Sequence, residues 1–340
     1  MAVSYKAPIK DIIFAYDVID AYSRLKSVKR YSEFSKEVVI PVVEECAKFC
    51  EEVLAPINAV GDLVGAKINN GTVMMPDGFI EAYKKFSEAG WASISLPEEL
   101  GGGGLPVTLS GATLEMIAAS NLSFSLAPGL SAGAISAISF HGSDEQKNIF
   151  LPKLVSGEWT GTMNLSEPQS GSDLGTITTK AEPQDDGTFK ITGTKVWITF
   201  GEHDMTENII HLVIARASDS PSGTKGISLF LVPKFIVKED GSIGSRNGVS
   251  TGSIESKMGI KGSATCVLNF DNSIGYMIGP KNKGLNSMFT MMNLERIVVG
   301  IQGLGISEIA YQNSLNYSKE RKQGKTNNSK SNNGADFIIE

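Results

Sequence analysis

The sequence predicts an α+β chain: an N-terminal all-α part over 1–157, a central small β-barrel or sandwich over 158–278, and helix again over 279–340. Three observations carry that division. From Ser35 onward, Val39, Val43, Ala47, Cys50 and Leu54 recur three or four residues apart, the stripe of an amphipathic helix. Between 158 and 278, short β-rich runs (TFKITGTKVWITF, IIHLVIARA, GISLFLVP, TCVLNFD) alternate with turn signals such as Asp185-Asp186-Gly187 and Ser222-Gly223. No long helix interrupts those runs, which argues against a doubly wound nucleotide fold. After Gly284, Leu285, Met288, Met292, Leu294 and Val298 fall close to one helical face.

In chain order, the first stripe contains Pro41, which is expected to start or kink its helix, since proline removes an N–H and crowds the preceding turn. Pro76 and Asp77 introduce a second helix over 78–90, stopped by Gly90. The four glycines at 101–104 read as a loop, because the strand before and GK[ST] after that a P-loop needs are missing. Two helices rich in small residues follow, at 109–119 and 132–141. Small side chains let helices approach closely or leave room for a ligand chain. In the β-rich part, the polar, glycine-rich insert 238–253 reads as a surface loop. The methionines after Gly284 read as core, with padding of a flexible apolar pocket as the alternative.

Composition bounds the function. The chain has 340 residues, 41% hydrophobic and 20% charged, which describes a soluble globular protein with room for two or three domains. Its net charge of −6 argues against nucleic acid as the main partner. No uninterrupted apolar run of about 18 residues is present, so no membrane span is expected. The N-terminus has neither a signal-peptide core nor a transit pattern, and a cytoplasmic location follows as the default. Cys46, Cys50 and Cys266 are an odd count, expected reduced. Cys46 and Cys50 share a helical face, but no third ligand lies near them in sequence. His141, His203 and His211 are scattered without metal spacing and read as structural, so no metal site is expected.

Two stretches carry chemistry. Residues 163–175 (MNLSEPQSGSDLG) gather Ser166, Ser170, Ser172 and Asp173 around Pro168 and Gly171. A bent backbone with free N–H groups and hydroxyls suits an anionic or heteroaromatic ligand edge, and an ordinary turn is the plainer alternative. Residues 195–199 (KVWIT) are strand-like, with Val196 and Ile198 alternating with Trp197 and Thr199. The indole and the hydroxyl therefore share a face, and can flank a planar ring and bond its edge.

Taken together, SEPQSGSDLG followed by ITGTKVWIT resembles the central β-domain of the acyl-CoA dehydrogenase family of flavoproteins. The resemblance extends over nearly the whole chain. It implies FAD as cofactor and an acyl-CoA substrate desaturated between Cα and Cβ, with electrons passed to an electron-transferring flavoprotein. It further implies a homodimer or homotetramer. Carried over by the resemblance, Met163, Leu165, Ser166, Gly171, Ile198 and Thr199 contact the flavin, Thr199 at its N5 edge, and Trp197 lies against the ring. Ser172 falls at the pyrophosphate or pantetheine, while Asn293 and Arg296 line the thioester pocket. Arg321 and Gln323 match positions that reach the FAD of a neighbouring subunit.

Glu295, in MMNLERIVVG, matches the catalytic Glu of the isovaleryl-CoA and long-chain branches; a helix-surface ion pair is the alternative. In the catalytic assignment Met292 and Val299 are expected to desolvate it. The N-terminal extension and the insert near Lys238 make the chain resemble the long FadE-type, 3-methylmercaptopropionyl-CoA dehydrogenase-like branch, which carries a small residue at the Glu295 position and uses a distal base. The family ends in a helical bundle, and a four-helix bundle needs on the order of a hundred residues. A C-terminally shortened member with only the start of that bundle is therefore expected. A flavin oxidase or monooxygenase on the same fold, and a non-catalytic member acting through a partner chain, are the alternatives.

Overall fold

The computed structural model describes residues 5–324. The terminal stretch 325–340 lies outside the described residues. The N-terminal part comprises α1 (Ile9–Val18), α2 (Ala21–Lys26), α3 (Lys36–Phe49), α4 (Ala55–Val64), a small hairpin of β1 (Lys67–Asn69) and β2 (Thr72–Met74), and α5 (Phe79–Glu88). Then come α6 (Val107–Ser120), α7 (Leu122–His141) and α8 (Asp144–Val155). Every member of the predicted stripe, Val39, Val43, Ala47, Cys50 and Leu54, is buried. Pro41 does not start that helix. It lies inside α3 on an exposed face, so the carbonyl that loses its N–H partner is open to water. A π-helical turn at Cys50–Leu54 joins α3 to α4.

The second small-residue helix begins ten residues earlier than the spacing suggests. Buried Asn121 caps α7, its side chain accepting from Phe124 N at 3.1 Å, and Pro128 is carried within the helix. By length and hydropathy α7 could cross a membrane, because its alanines, leucines, isoleucines and phenylalanines outweigh its serines and no charged residue interrupts it; yet 61% of its most apolar window is buried inside the protein, as in a core helix.

The β-rich part contains β3 (Trp159–Asn164), β4 (Lys180–Pro183), β5 (Phe189–Thr199), β6 (Asn208–Ala217), β7 (Ile227–Pro233), β8 (Phe235–Val237), β9 (Ile243–Arg246), β10 (Val249–Ile254) and β11 (Thr265–Ile278). Strands β11, β5, β4, β6 and β7 pair in a ring that closes when β7 returns to β11. A closed ring leaves no open edge among its members. Parallel to β6 lies β3, and antiparallel to β11 lies β10. The insert 238–253 is not a plain loop. It supplies β9, hairpinned with β8, and most of β10.

Two apolar clusters hold these layers together. One runs from the helical part into the barrel, through Phe79, Phe86, Phe124, Phe230 and Phe270. The other joins α7 and α8 to β3, β6 and β7, and to Met288 and Met291 of the long helix α9 (Gly284–Glu320). α7 comes close to the sheet at Gly161 of β3, where a Cβ would stand 2.3 Å from Ala134 Cβ. Gly161 N also donates to Ser131 Oγ at 3.0 Å. The buried seam of α9 is Met288, Met291, Val298, Gln302 and Gly305. Leu285, Met292 and Leu294, placed on that face from sequence, are only half-buried. On the outer faces, Ile297, Val299, Leu304 and Tyr311 are exposed.

Candidate functional site

The two chemistry-bearing stretches meet, and a buried ion pair joins them. Lys195, with no exposed surface, donates through Nζ to Glu167 Oε1 at 2.8 Å and to the Leu165 carbonyl at 2.9 Å. Glu167 also accepts from Thr178 N and Oγ1, from Thr179 N and Oγ1, and from Gln169 Nε2. Burial pushes its carboxyl up, but the Lys195 charge and these donors outweigh burial and hold it down at about 2. Glu167 and Ser170 bond each other's backbones in both directions, which closes the turn over Pro168 and Gln169.

Strand β5 changes phase inside KVWIT. Ile191 and Lys195 are buried on one phase, then Val196 and Ile198 on the other. The register against β11 slips between Lys195 and Ile198, which marks a β-bulge. Val196 N leaves the ladder and donates to Ser166 O at 2.9 Å, a further bond between the two stretches. Trp197 takes a left-handed φ of 62° and is 57% exposed. Such a φ costs a non-glycine residue about 1–2 kcal/mol. A Cβ built on Gly171 would lie 3.9 Å from the indole edge, so the ring stands beside the Ser-Gly-Ser turn.

The outcome is a ledge with unused donors. Among the described residues, the hydroxyls of Ser166, Ser172 and Thr199 make no hydrogen bond, and the N–H groups of Ser166, Gly171 and Ser172 donate to none. Ser166 and Thr199 are half-buried and Ser172 is exposed. Met163 and Leu165 back the ledge, packed against the second apolar cluster. A flat indole beside half-buried donors fits a planar heteroaromatic ring with an acceptor edge. Ile198 is different: its side chain is 2% exposed and faces the core, so only its backbone is available there.

Glu295 projects into the seam between α9 and α7. Its Oε1 is buried without a hydrogen-bond partner, and burial raises the carboxyl to about 7. The surface ion-pair alternative is therefore corrected, since no ion pair involves Glu295 among the described residues. Val299 is 59% exposed and does not desolvate it; the buried residues one turn away are Met291 and Val298. The seam repeats in steps of three and four, which places Glu295 between those two. Asn293 and Arg296 lie on the outer face, Arg296 Nη1 donating to Asn293 Oδ1 at 2.5 Å. Leu294 and Val298 border a cavity of about 350 Å³ that runs between α6 and α7 to Phe86 and Trp91. Its walls are mainly apolar, with Ser95, Ser110 and Ser136 among them. Arg321 and Gln323 are exposed past the end of α9. At about 1.5 Å of rise per residue they are roughly 39 Å along the axis from Glu295, so one chain does not bring them to it.

The histidines serve the packing. His203 and His211 are fully buried and bonded to Thr160 and Thr162, and burial first, then nearby cations, holds both down at about 3. His141 bonds Thr290 of α9. Cys46 and Cys50 Sγ are 4.0 Å apart and buried. No group of three or more His, Cys, Asp or Glu among the described residues is arranged to hold a metal. Sequence reasoning missed the Glu167–Lys195 pair. Its signal was a lysine on the inward phase of an otherwise apolar strand, just before that phase reverses.

The acyl-CoA dehydrogenase N-terminal domain matches residues 37–158, and the acyl-CoA dehydrogenase middle domain matches 162–273. The 3-methylmercaptopropionyl-CoA dehydrogenase of Ruegeria pomeroyi is 46% identical over 323 residues, 95% of this chain and 55% of that protein. Among solved structures, the butyryl-CoA dehydrogenase from Megasphaera elsdenii superposes with a TM-score of 0.70 at 27% identity, over 85% of this chain and 71% of that one. An acyl-CoA dehydrogenase complexed with FAD from Bacillus anthracis has a TM-score of 0.70 at 27% identity, over 86% and 46%. The chain spans about half the length of the curated relatives it matches first.

Proposed function

This chain belongs to the acyl-CoA dehydrogenase family, and on that premise we propose that it binds FAD and takes part in α,β-desaturation of an acyl-CoA thioester. The observation that carries the proposal is the ledge: Trp197 stands exposed beside Gly171, and half-buried Ser166 and Thr199 hydroxyls have no partner within the described chain. When bound, FAD supplies the acceptor for the hydride that leaves Cβ, which no protein side chain can be. Trp197 supports one face of the ring. Thr199 and Ser166, with the free N–H of Ser166, bind its polar edge, and Gly171 and Ser172 receive the phosphates.

In the same proposal Glu295 is the base that takes the α-proton. Its carboxyl, raised to about 7, is half ionised near neutrality and basic enough to accept a proton there. The α-C–H bond breaks, its electron pair stays on the acyl chain, and the proton goes to a Glu295 oxygen. The mainly apolar cavity behind Leu294 and Val298 holds the acyl tail and keeps water from the carboxylate. Asn293 and Arg296 meet the CoA side of the thioester, with Ser172 at pantetheine or pyrophosphate. Arg321 and Gln323 serve the site of a neighbouring subunit, which makes a homodimer or homotetramer part of the proposal. The electron acceptor is an electron-transferring flavoprotein, the location cytoplasmic, and the working units are 1–157, 158–278 and 279–340. The test is Glu295→Gln, which keeps the shape and removes the base. FAD affinity is expected to stay within about twofold, while reduction by acyl-CoA falls on the order of a hundredfold or more. Unchanged reduction would place the base elsewhere.

A further inference from the structure

We infer that Gly133 is the positioning residue for the proposed base: by presenting no side chain where α7 meets α9, it leaves the niche in which the Glu295 carboxylate lies. A Cβ built on Gly133 would stand 2.6 Å from Met291 Cγ, 3.1 Å from Met291 Cε and 2.9 Å from Glu295 Oε1. One turn earlier, a Cβ on Gly129 would meet Val298 Cγ1 at an ordinary 3.6 Å, so the crowding belongs to position 133. Gly133 does not take a positive φ, and a glycine inside a helix costs about 0.5–1 kcal/mol relative to alanine. Its backbone freedom is not used; the space is.

Packing alone sets the carboxylate's place, an inference that rests on Glu295 being the base. The charged and titratable groups beside it are otherwise engaged. Arg296 turns to Asn293 Oδ1 and over the Phe289 ring, and His141 of α7 bonds Thr290 one turn away. Burial is the sole cause of the raised carboxyl. Met291 and Val298 close the seam along α9, so a methyl group at 133 leaves the carboxylate only the outward path, toward water. There it returns to the ordinary carboxylate range.

The experiment is a carbon-13 NMR titration of the Glu295 carboxyl in the full chain without flavin or acyl-CoA, with Glu295→Gln identifying the signal. The midpoint is expected at about 7 in the parent chain and near 4–5 in Gly133→Ala. Gly111→Ala, whose Cβ would meet Ile301 Cδ1 at 3.4 Å, should leave it near 7. Should Gly133→Ala fail to fold, Gly133→Ala with Met291→Ala removes the collision with methionine and keeps the one with Oε1; because Met291→Ala itself opens the seam, the double variant is compared with Met291→Ala alone, and its midpoint should lie below that of the single variant. In the FAD-loaded chain, the pH profile of reduction should move down with that midpoint. A midpoint that stays near 7 in Gly133→Ala, or that is the same in Met291→Ala with and without Gly133→Ala, overturns the role of Gly133. Loss of reduction in Glu295→Gln with an unmoved Gly133→Ala titration keeps the base and discards the niche. Unchanged reduction in Glu295→Gln discards the base, and the titration alone then decides the niche.

Discussion

Replacing Lys195 with methionine tests the joint between the two chemistry-bearing stretches. The change removes the 2.8 Å bond to Glu167 and the 2.9 Å bond to the Leu165 carbonyl. Breaking a buried ion pair by deleting one partner costs about 3–5 kcal/mol. Here the stranded carboxylate keeps donors from Thr178, Thr179 and Gln169, which puts Lys195→Met near the lower end, about 3 kcal/mol. At roughly 2 °C per kcal/mol for a protein of this size, the melting temperature should fall by about 6 °C. Glu167→Gln is worse placed, because the buried ammonium keeps only the Leu165 carbonyl as a strong acceptor. Its loss should approach about 5 kcal/mol. In both variants the Ser166–Gly171 turn loses its ion-pair tie to the bulge and keeps the backbone bond from Val196 N to Ser166 O, so FAD affinity should drop, by about tenfold, read by quenching of flavin fluorescence. A Lys195→Met chain with the parental melting curve and the parental FAD affinity would refute the reasoning.

Trp197→Gly removes the indole but relieves the left-handed φ, so stability should stay within about 1 kcal/mol while FAD binding weakens; equal loss of both would make Trp197 a packing residue. Thr199→Ala should weaken FAD retention by about 1–3 kcal/mol, and an unchanged Kd would remove it from the site. The rate of flavin reduction should rise with pH through about 7 as Glu295 ionises; a profile flat from pH 5 to 8 would contradict that. Its raised folded pKa also means that stability attributable to Glu295 is present below about 4.5 and lost as pH rises through about 7. Glu167 has the opposite sign: its depressed pKa contributes stability above about 4.5 that is lost as pH falls toward about 2. Gly161→Ala, with its Cβ 2.3 Å from Ala134 Cβ, should cost at least about 1–3 kcal/mol in a denaturant melt.

Much of the fold was legible because periodicity reports burial directly. The stripe from Val39 to Leu54 and the alternation of Val196 with Trp197 both appear as read. Position within an element was harder. The start of α7 depends on a buried asparagine cap and on tolerating Pro128, and no apolar spacing signals either. The insert 238–253 forms strands although its composition is that of a loop, because β11 offers β10 a ladder to join. At the candidate site, the residues proposed to face a ligand stand out in the sequence, and the contacts that hold them do not. Trp197 and Ser166 stand in recognisable strings, whereas Gly133 and Glu295 are 162 residues apart and meet only through the packing of two helices. That buried Val298, and not exposed Val299, stands on the seam beside Glu295 turns on one residue of helical phase.

The most direct test is the absorbance of the FAD-loaded chain, mixed anaerobically with a series of acyl-CoA thioesters of increasing length. Bands near about 370 and 450 nm are expected for bound oxidised flavin, and the band near 450 nm should bleach with at least one thioester. A chain that binds no flavin, or one whose band near 450 nm is unchanged by every thioester in the series, would contradict the assignment of the ledge and of Glu295 to this chemistry.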